Sequence, residues 1–214
     1  MFYVGLDLGQ KSDPSALAVI EQPDPPQWAQ ARPVSQNQVA EGLLGRWVER
    51  VPLGTRYPEV VERVREVVCD PALRGQCALA VDATGLGGPV VDMLRAAGLG
   101  CQMSEVTITG GEREVQRGSN GFSVPKRDLM AGLQMALETR ELRFAKGLRE
   151  AGALVQELTD MRVMVKATGR VRVGAEGAGE HDDLVIAVGL AVWLAKRPKP
   201  RLNSLCGGRR LPGM

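Results

Sequence analysis

The amino-acid sequence predicts an α/β domain built on one mixed β-sheet, in which three antiparallel strands come first and parallel strands follow. Three observations lead to this prediction. Short apolar runs bounded by turn residues recur along the chain. The first three runs have no helical pattern between them, which favours an antiparallel meander. Later runs alternate with amphipathic helical patterns, which favours parallel strands added to the same sheet.

The first three strands are predicted from apolar runs that are separated by polar, proline-containing segments. Residues 2–9 and 15–20 are the first two, joined by a run of turn residues, and residues 43–51 are the third. The stretch 22–38 is polar and contains four prolines, so we expect a loop there.

The middle of the chain alternates between helical and extended patterns. Pro58 begins a helix whose valines recur at helical spacing. A strand at 77–82 leads through a glycine-rich turn to a helix at 89–97, and another strand follows at 101–108. Residues 110–121 are charged and contain glycines, so we expect a mobile loop.

Two helices, a hairpin and a closing helix complete the predicted order. Helices are predicted at 125–140 and 147–158, and the alternating residues 162–166 and 170–173 flank a Thr-Gly turn, which predicts a β-hairpin. The helix at 183–196 is apolar nearly all round, so it should be buried. This order of elements is the ribonuclease H-like arrangement of a mixed sheet flanked by helices, with a β-hairpin before the last helix.

Composition narrows the class of protein. At 214 residues the chain can bury a substantial core, and its net charge of +2 gives no global signature of nucleic-acid binding, although a local basic groove is compatible with it. No apolar run approaches the ~20 residues that span a bilayer, and no basic-then-apolar leader opens the chain. We therefore expect a soluble, cytoplasmic protein with no membrane partner. The four cysteines lack metal-type spacing and are expected to be reduced thiols.

Three aspartates at the edges of apolar runs are the strongest candidates for chemistry. Asp7 ends the first strand, Asp82 ends the fourth and Asp183 opens the last helix, whereas Asp13 looks like an ordinary turn residue. A carboxylate beside a buried apolar run is costly to bury unless it is paired or bound to a metal. Three of them, gathered by the fold, would form an oxygen-rich site for Mg²⁺ or Mn²⁺.

Each of these residues also has an ordinary structural explanation. Asp7 and Asp82 could cap the turns that follow their strands. At the last helix, one of Asp182 and Asp183 could bind metal while the other caps the helix N-terminus. The only histidine, His181, adjoins them and could orient the attacking water or assist the leaving group.

Basic residues at two places in the sequence could contact phosphate groups. Lys126 and Arg127 begin an amphipathic helix, and Lys166, Arg170 and Arg172 lie on the predicted hairpin. For each residue alone, a solvated charged face is at least as good an explanation.

Four motifs, taken in order, resemble the nuclease domain of phage large terminase subunits. They are Gly5-Leu-Asp-Leu-Gly9, Val81-Asp-Ala-Thr-Gly-Leu-Gly-Gly88, Val124-Pro-Lys-Arg-Asp128 and Glu180-His-Asp-Asp-Leu-Val-Ile-Ala187. Together with the hairpin they cover most of residues 2–196. We therefore expect a ribonuclease H-like nuclease domain at 1–196, followed by a disordered basic tail at 197–214.

The resemblance implies a metal-dependent DNA endonuclease that cuts phage DNA during genome packaging by two-metal phosphodiester hydrolysis. It implies two Mg²⁺ or Mn²⁺ ions held by Asp7, Asp82 and Asp183, with Asp182 as second choice for the third ligand. The implied substrate is double-stranded DNA in the cytoplasm of a bacterial host. A separate packaging ATPase, a small terminase or a portal protein would be its partners.

One departure from the family concerns the packaging motor. The sequence contains no Gly-x-x-x-x-Gly-Lys-Ser/Thr loop, so we expect an isolated nuclease half, a split-gene product or an independent phage or prophage nuclease. Three alternatives remain open at this point. The first is a Holliday-junction resolvase on the same fold, and the second is an actin-like kinase, which would need a second lobe. The third is a non-catalytic DNA-binding packaging module, in which the acids are caps.

Overall fold

The structure, a computed structural model, describes residues 1–9, 13–24, 42–85, 87–165, 171–174 and 181–197. The described strands are β1 (Phe2–Asp7), β2 (Ala16–Glu21), β3 (Leu43–Arg50), β4 (Cys77–Asp82), β5 (Gln102–Thr109), β6 (Val115–Arg117), β7 (Gly121–Pro125), β8 (Leu142–Phe144), β9 (Arg162–Val165) and β10 (Val171–Gly174). The described helices are α1 (Tyr57–Val68), α2 (Gly87–Ala96), α3 (Lys126–Glu138), α4 (Ala151–Asp160) and α5 (Asp183–Ala195).

Eight strands form one mixed sheet in the order β6-β7-β5-β4-β1-β2-β3-β8. Strands β1, β2 and β3 are an antiparallel meander. On the other side of β1, strands β4, β5 and β7 are added in parallel. The predicted ribonuclease H-like mixed sheet is therefore confirmed. The predicted hairpin is also present, because β9 and β10 pair antiparallel as a separate two-stranded sheet.

Three described strands are missing from the sequence-based prediction. The stretch 110–121 was expected to be a mobile loop, but it contains β6 and the start of β7, which pair antiparallel at one edge of the sheet. Strand β8 forms the opposite edge, parallel to β3. Strands β6 and β8 have three residues each, which is too short for a sequence pattern to identify a strand, and β6 is also exposed throughout.

The stretch around β6 is joined to the end of α5 by a cluster of aromatic and charged side chains. The guanidinium carbon of Arg197 lies 4.1 Å from the ring centroids of both Phe122 and Trp193. Glu114 accepts a hydrogen bond of 2.9 Å from the Trp193 indole and forms an ion pair with Arg197. These contacts explain why the expected loop is ordered at this end of the sheet.

Two long predicted segments fall largely on residues that the structure does not describe. Most of the predicted proline-rich loop, residues 25–38, lies outside the described residues, and so does the predicted tail from residue 198 onwards. Both remain predictions.

The sheet separates two apolar cores. On one face it packs against α3, α4 and α5, and on the other against α1 and α2. Every residue of α5 except Trp193 is buried, as its uniformly apolar sequence predicts. No helix in the described part of the chain is long and apolar enough to cross a membrane.

Helix α5 lies directly on the central strand β1 because residue 5 is glycine. A Cβ atom at Gly5 would lie 1.9 Å from the carbonyl oxygen of Ala187 and 2.9 Å from the amide nitrogen of Ala191. Both are backbone atoms, so no side-chain movement could relieve the overlap. The glycine of the first motif therefore sets the distance between β1 and α5.

We expect Gly5→Ala to lower the free energy of unfolding by about 3 kcal/mol or more, because the added methyl group forces α5 away from the sheet. Gly132→Ala is the matched control. A Cβ at that position in α3 meets nothing within 4 Å. Alanine is a better helix former than glycine, so the free energy of unfolding of this variant should rise by about 0.5–1 kcal/mol. Urea denaturation followed by circular dichroism measures both. Equal stability of Gly5→Ala and wild type would contradict the close packing.

Candidate active site

Two of the predicted aspartates end neighbouring parallel strands. Leu6 of β1 pairs with Val81 of β4, so Asp7 and Asp82, the next residue of each strand, lie side by side at the carboxyl edge of the sheet. Ligands of open α/β sheets bind at this edge. The topology therefore brings together two carboxylates that are 75 positions apart in the sequence.

The third aspartate is delivered by α5. Asp183 is the first residue of this helix and is buried, and Asp182 precedes it. The pKa of Asp7 lies well above its ordinary value, chiefly because the carboxyl group is buried, and then because the negative charges of Asp82, Asp183 and Asp182 are near. The four carboxyl groups are therefore within electrostatic range of one another near the end of β1.

Lys126 lies among these acids. It begins α3 directly after β7, and its Nζ donates a hydrogen bond of 2.6 Å to Asp182 Oδ2. Its positive charge also offsets part of the rise in the pKa of Asp7 and of Asp82. The structure thus places this residue inside the acidic cluster. The predicted contact between Lys126 and a DNA phosphate is untested.

Asp82 has a turn-capping role of the kind considered from the sequence. Its Oδ1 accepts hydrogen bonds from the backbone N–H of Thr84, at 2.8 Å, and from the Thr84 hydroxyl. The Thr84 hydroxyl oxygen in turn accepts a 2.8 Å hydrogen bond from the N–H of Ile108. Burial nevertheless raises the pKa of Asp82 above its ordinary value, and the hydrogen bonds from Thr84 offset part of that rise. The two proposed roles of Asp82, capping and metal binding, are therefore compatible.

Asp183 carries the clearest sign of a missing partner. Its Oδ2 is buried and has no hydrogen-bond partner among the described residues, and the same is true of His181 Nδ1, which lies 3.5 Å from it. Asp13 Oδ1 lies 3.7 Å from the same histidine nitrogen, so the expectation that Asp13 is only an ordinary turn residue misses its place beside this cluster. Burial, followed by the charge of Glu157, raises the pKa of Asp183 to about 6.

Glu157 contacts the first turn of α5 and pairs with Arg50. The sequence patterns predicted a functional role for neither residue. Glu157 of α4 is only 4% exposed, accepts a 2.9 Å hydrogen bond from the N–H of Val185, and forms an ion pair with Arg50 of β3. One signal could have pointed to Glu157. It is three residues after the apolar Leu154, so the two share the buried face of the helix.

The other predicted phosphate contacts are only partly described. Arg127 is on α3, and its guanidinium donates a 2.6 Å hydrogen bond to the carbonyl oxygen of Glu112. Arg172 is in β10, where the backbone alone is described, and Lys166 and Arg170 lie outside the described residues. Their contacts with DNA remain predictions.

The donor set fits a hard divalent cation by its chemistry. Carboxylate oxygens are the ligands that Mg²⁺ and Mn²⁺ prefer, and the buried Oδ2 of Asp183 accepts no hydrogen bond from any residue that the structure describes. In the described part of the chain, however, no three acidic, histidine or cysteine side chains are arranged to hold one ion together. One oxygen of Asp182 is bound by Lys126 and one of Asp82 by Thr84. Each of these two carboxylates has a second oxygen, but the described acids would have to move closer together to share an ion.

Solved structures with the same fold are nuclease domains of phage large terminases. The large terminase nuclease of thermophilic phage G20c with bound magnesium is 20% identical, with a TM-score of 0.63 over 90% of this chain and 80% of that one. The nuclease domain of gp2 from bacterial virus Sf6 is 14% identical, with a TM-score of 0.61 over 89% and 87% of the two chains. That of g2p from bacteriophage SPP1 with bound Mn is 11% identical, with a TM-score of 0.53 over 89% and 84%.

These likenesses establish that the chain has the fold of phage large terminase nuclease domains. The chain spans 39% of the solved chain of the HK97 bacteriophage large terminase, with a TM-score of 0.54 and 14% identity. No protein-family model matches the sequence, and no curated protein matches it.

The raised pKa of Asp183 has a consequence for stability. Between its ordinary pKa of 3.8 and the folded value of about 6, the folded protein binds more protons than the unfolded chain. The contribution of this group to the free energy of unfolding is therefore fully present below about pH 4. It is lost as the pH rises through 6, by up to about 3 kcal/mol. Asp7 acts in the same direction because its pKa is also raised.

We therefore expect Asp183→Asn to be more stable than wild type at pH 7.5 in EDTA, with the difference vanishing near pH 4. Thermal denaturation at a series of pH values measures this. Asp92→Asn is the control, because Asp92 lies exposed on α2 in an ion pair with Arg95 and should change stability little. A loss of stability in Asp183→Asn at pH 7.5 would mean that a favourable partner compensates the ionised carboxylate.

Proposed function

We propose that this chain is a metal-dependent DNA endonuclease that hydrolyses phosphodiester bonds at the cluster of Asp7, Asp82 and Asp183. One observation carries the proposal: Asp7 and Asp82 end adjacent parallel strands, and the charges of Asp82, Asp183 and Asp182 add to the effect of burial in raising the pKa of Asp7. Such a concentration of like charge destabilises the fold, so it calls for a cation. The fold of terminase nuclease domains, solved with magnesium for phage G20c and with Mn for SPP1, supports this function.

Asp7, Asp82 and Asp183 would hold two Mg²⁺ or Mn²⁺ ions, with Asp182 as the second choice for the third ligand. When bound, such ions supply an activated water and stabilise the charge that develops on the phosphate and the leaving oxygen.

The protein's own residues would hold and balance this site. Asp7 and Asp82 are fixed by adjacent strands, and Asp183 by a helix packed against them. Lys126 neutralises part of their charge through Asp182. His181, whose Nδ1 makes no hydrogen bond within the described part of the chain, stands where it could take up or release a proton beside Asp183.

The proposed substrate is double-stranded DNA, cut with low sequence specificity, because the proposed contacts are to phosphates and carry no base information. Arg127, Lys166, Arg170 and Arg172 are the proposed phosphate contacts besides Lys126. We place the nuclease at residues 1–196 and a basic tail at 197–214. The proposed setting is the cytoplasm of a bacterial host. A separate packaging ATPase, small terminase or portal protein is the proposed partner.

Supercoiled plasmid incubated with the purified protein in Mn²⁺, Mg²⁺ or EDTA tests this proposal. We expect nicking and linearisation in Mn²⁺ or Mg²⁺ and none in EDTA. Asp7→Asn should lower the rate at least about 100-fold, because a site that loses a metal ligand loses several kcal/mol of transition-state stabilisation. The substitution keeps the size of the side chain and removes a destabilising charge, so the variant should stay folded.

The matched control is Asp92→Asn, the same chemical change at an exposed acid, which should cut at the wild-type rate. Equal rates for Asp7→Asn and wild type in every metal would contradict the proposal. Binding of DNA without cleavage would instead favour a packaging module. Cleavage restricted to four-way junctions by a dimer would favour a resolvase.

A further inference from the structure

The N-terminus of α5 is capped in an unusual way. The first backbone N–H groups of a helix have no partner within the helix, and the side chain of the N-cap residue usually accepts one of them. The N-cap residue here is Asp182, a residue type well suited to that task, yet its side chain makes no capping hydrogen bond. Its carboxylate is bound to Lys126 instead.

The missing acceptor comes from another helix. Glu157 Oε2 of α4 accepts a 2.9 Å hydrogen bond from the N–H of Val185, which is the third residue of α5. That amide is one of the two that an N-cap side chain normally binds. A carboxylate at this end of the helix is also favoured by the helix dipole.

Glu157 is held in this position by its second oxygen. Oε1 forms an ion pair with Arg50 at the end of β3, and the Glu157 side chain is 4% exposed. Both oxygens therefore have partners, and we do not propose Glu157 as a metal ligand. A buried carboxylate is tolerated here because it has an ion pair and a backbone donor.

We propose that Glu157 is a positioning residue, which caps α5 from outside so that both Asp182 and Asp183 keep their carboxylates for the catalytic cluster. The inference rests on the proposed nuclease function. It answers the question that the sequence left open, namely which of the two adjacent aspartates caps the helix: neither does, because the cap lies 25 residues earlier, on α4.

Two variants of similar size separate capping from packing. Glu157→Gln keeps an oxygen that accepts the Val185 N–H, whereas Glu157→Met fills nearly the same volume with no such acceptor. Mn²⁺ affinity is measured directly by titration calorimetry on the full chain, and plasmid cleavage gives kcat and KM. Gln156→Ala, on the exposed side of the same helix, is the control.

We expect Glu157→Met to weaken Mn²⁺ binding about tenfold and to lower kcat with KM for plasmid unchanged, as is typical when the support of a metal ligand is removed. Glu157→Gln should restore both values to within about threefold of wild type. Wild-type affinity in Glu157→Met, or an equal loss in Glu157→Gln and Glu157→Met, would overturn the inference.

Glu157→Met leaves the charge of Arg50 without its partner and could unfold the protein for that reason. In that case Glu157→Gln and Glu157→Met are compared directly with each other in an Arg50→Met background, because both double variants lack the two charges of the ion pair. Weaker Mn²⁺ binding with Met than with Gln supports the inference, and equal binding overturns it.

The direct metal measurement separates this inference from the proposed function. A wild-type protein that binds Mn²⁺ but leaves DNA intact would count against the nuclease, and the Mn²⁺ affinities of the two variants would still decide the role of Glu157. A wild-type protein that binds no Mn²⁺ would overturn both.

Discussion

The close packing of α5 on β1 is the contact on which the rest of the molecule depends. At Gly5 the helix backbone comes nearer to the strand than any side chain would allow. This packing buries an almost wholly apolar helix in the core, and it also brings Asp183 to the end of the strand that carries Asp7. One glycine therefore connects the stability of the domain with the geometry of its acidic cluster.

The cluster works against the stability of the protein that contains it. Burial and mutual repulsion raise the pKa of Asp7, and burial and the charge of Glu157 raise that of Asp183. The chain balances part of this charge with its own cations, Lys126 at Asp182 and Arg50 at Glu157. The acidic groups still outnumber these two cations, and this excess in a well-packed domain is the main physical reason to propose that the cluster binds a cation.

Much of this arrangement follows from the sequence, and the remainder depends on tertiary packing. Apolar runs and helical spacing predict the meander, the parallel strands and the buried last helix, and Asp7 and Asp82 stand out because each ends such a run. Strands β6 and β8 are edge strands of three residues each, too short for a pattern to identify. Glu157 looks like any helix acid until the partner of its carboxylate is known. The contacts of the hairpin's basic residues stay predictions.

The burial of α5 also determines how the domain unfolds. Helix α5 is buried along its length, with only Trp193 partly exposed, so it cannot unfold locally without exposing the core. We therefore expect its backbone amides to exchange with solvent only when the whole core unfolds. The acidic cluster includes residues at the ends of this helix and of the central strand, so we expect it to be lost when the two separate. Heat should abolish the cluster and the fold in one cooperative transition.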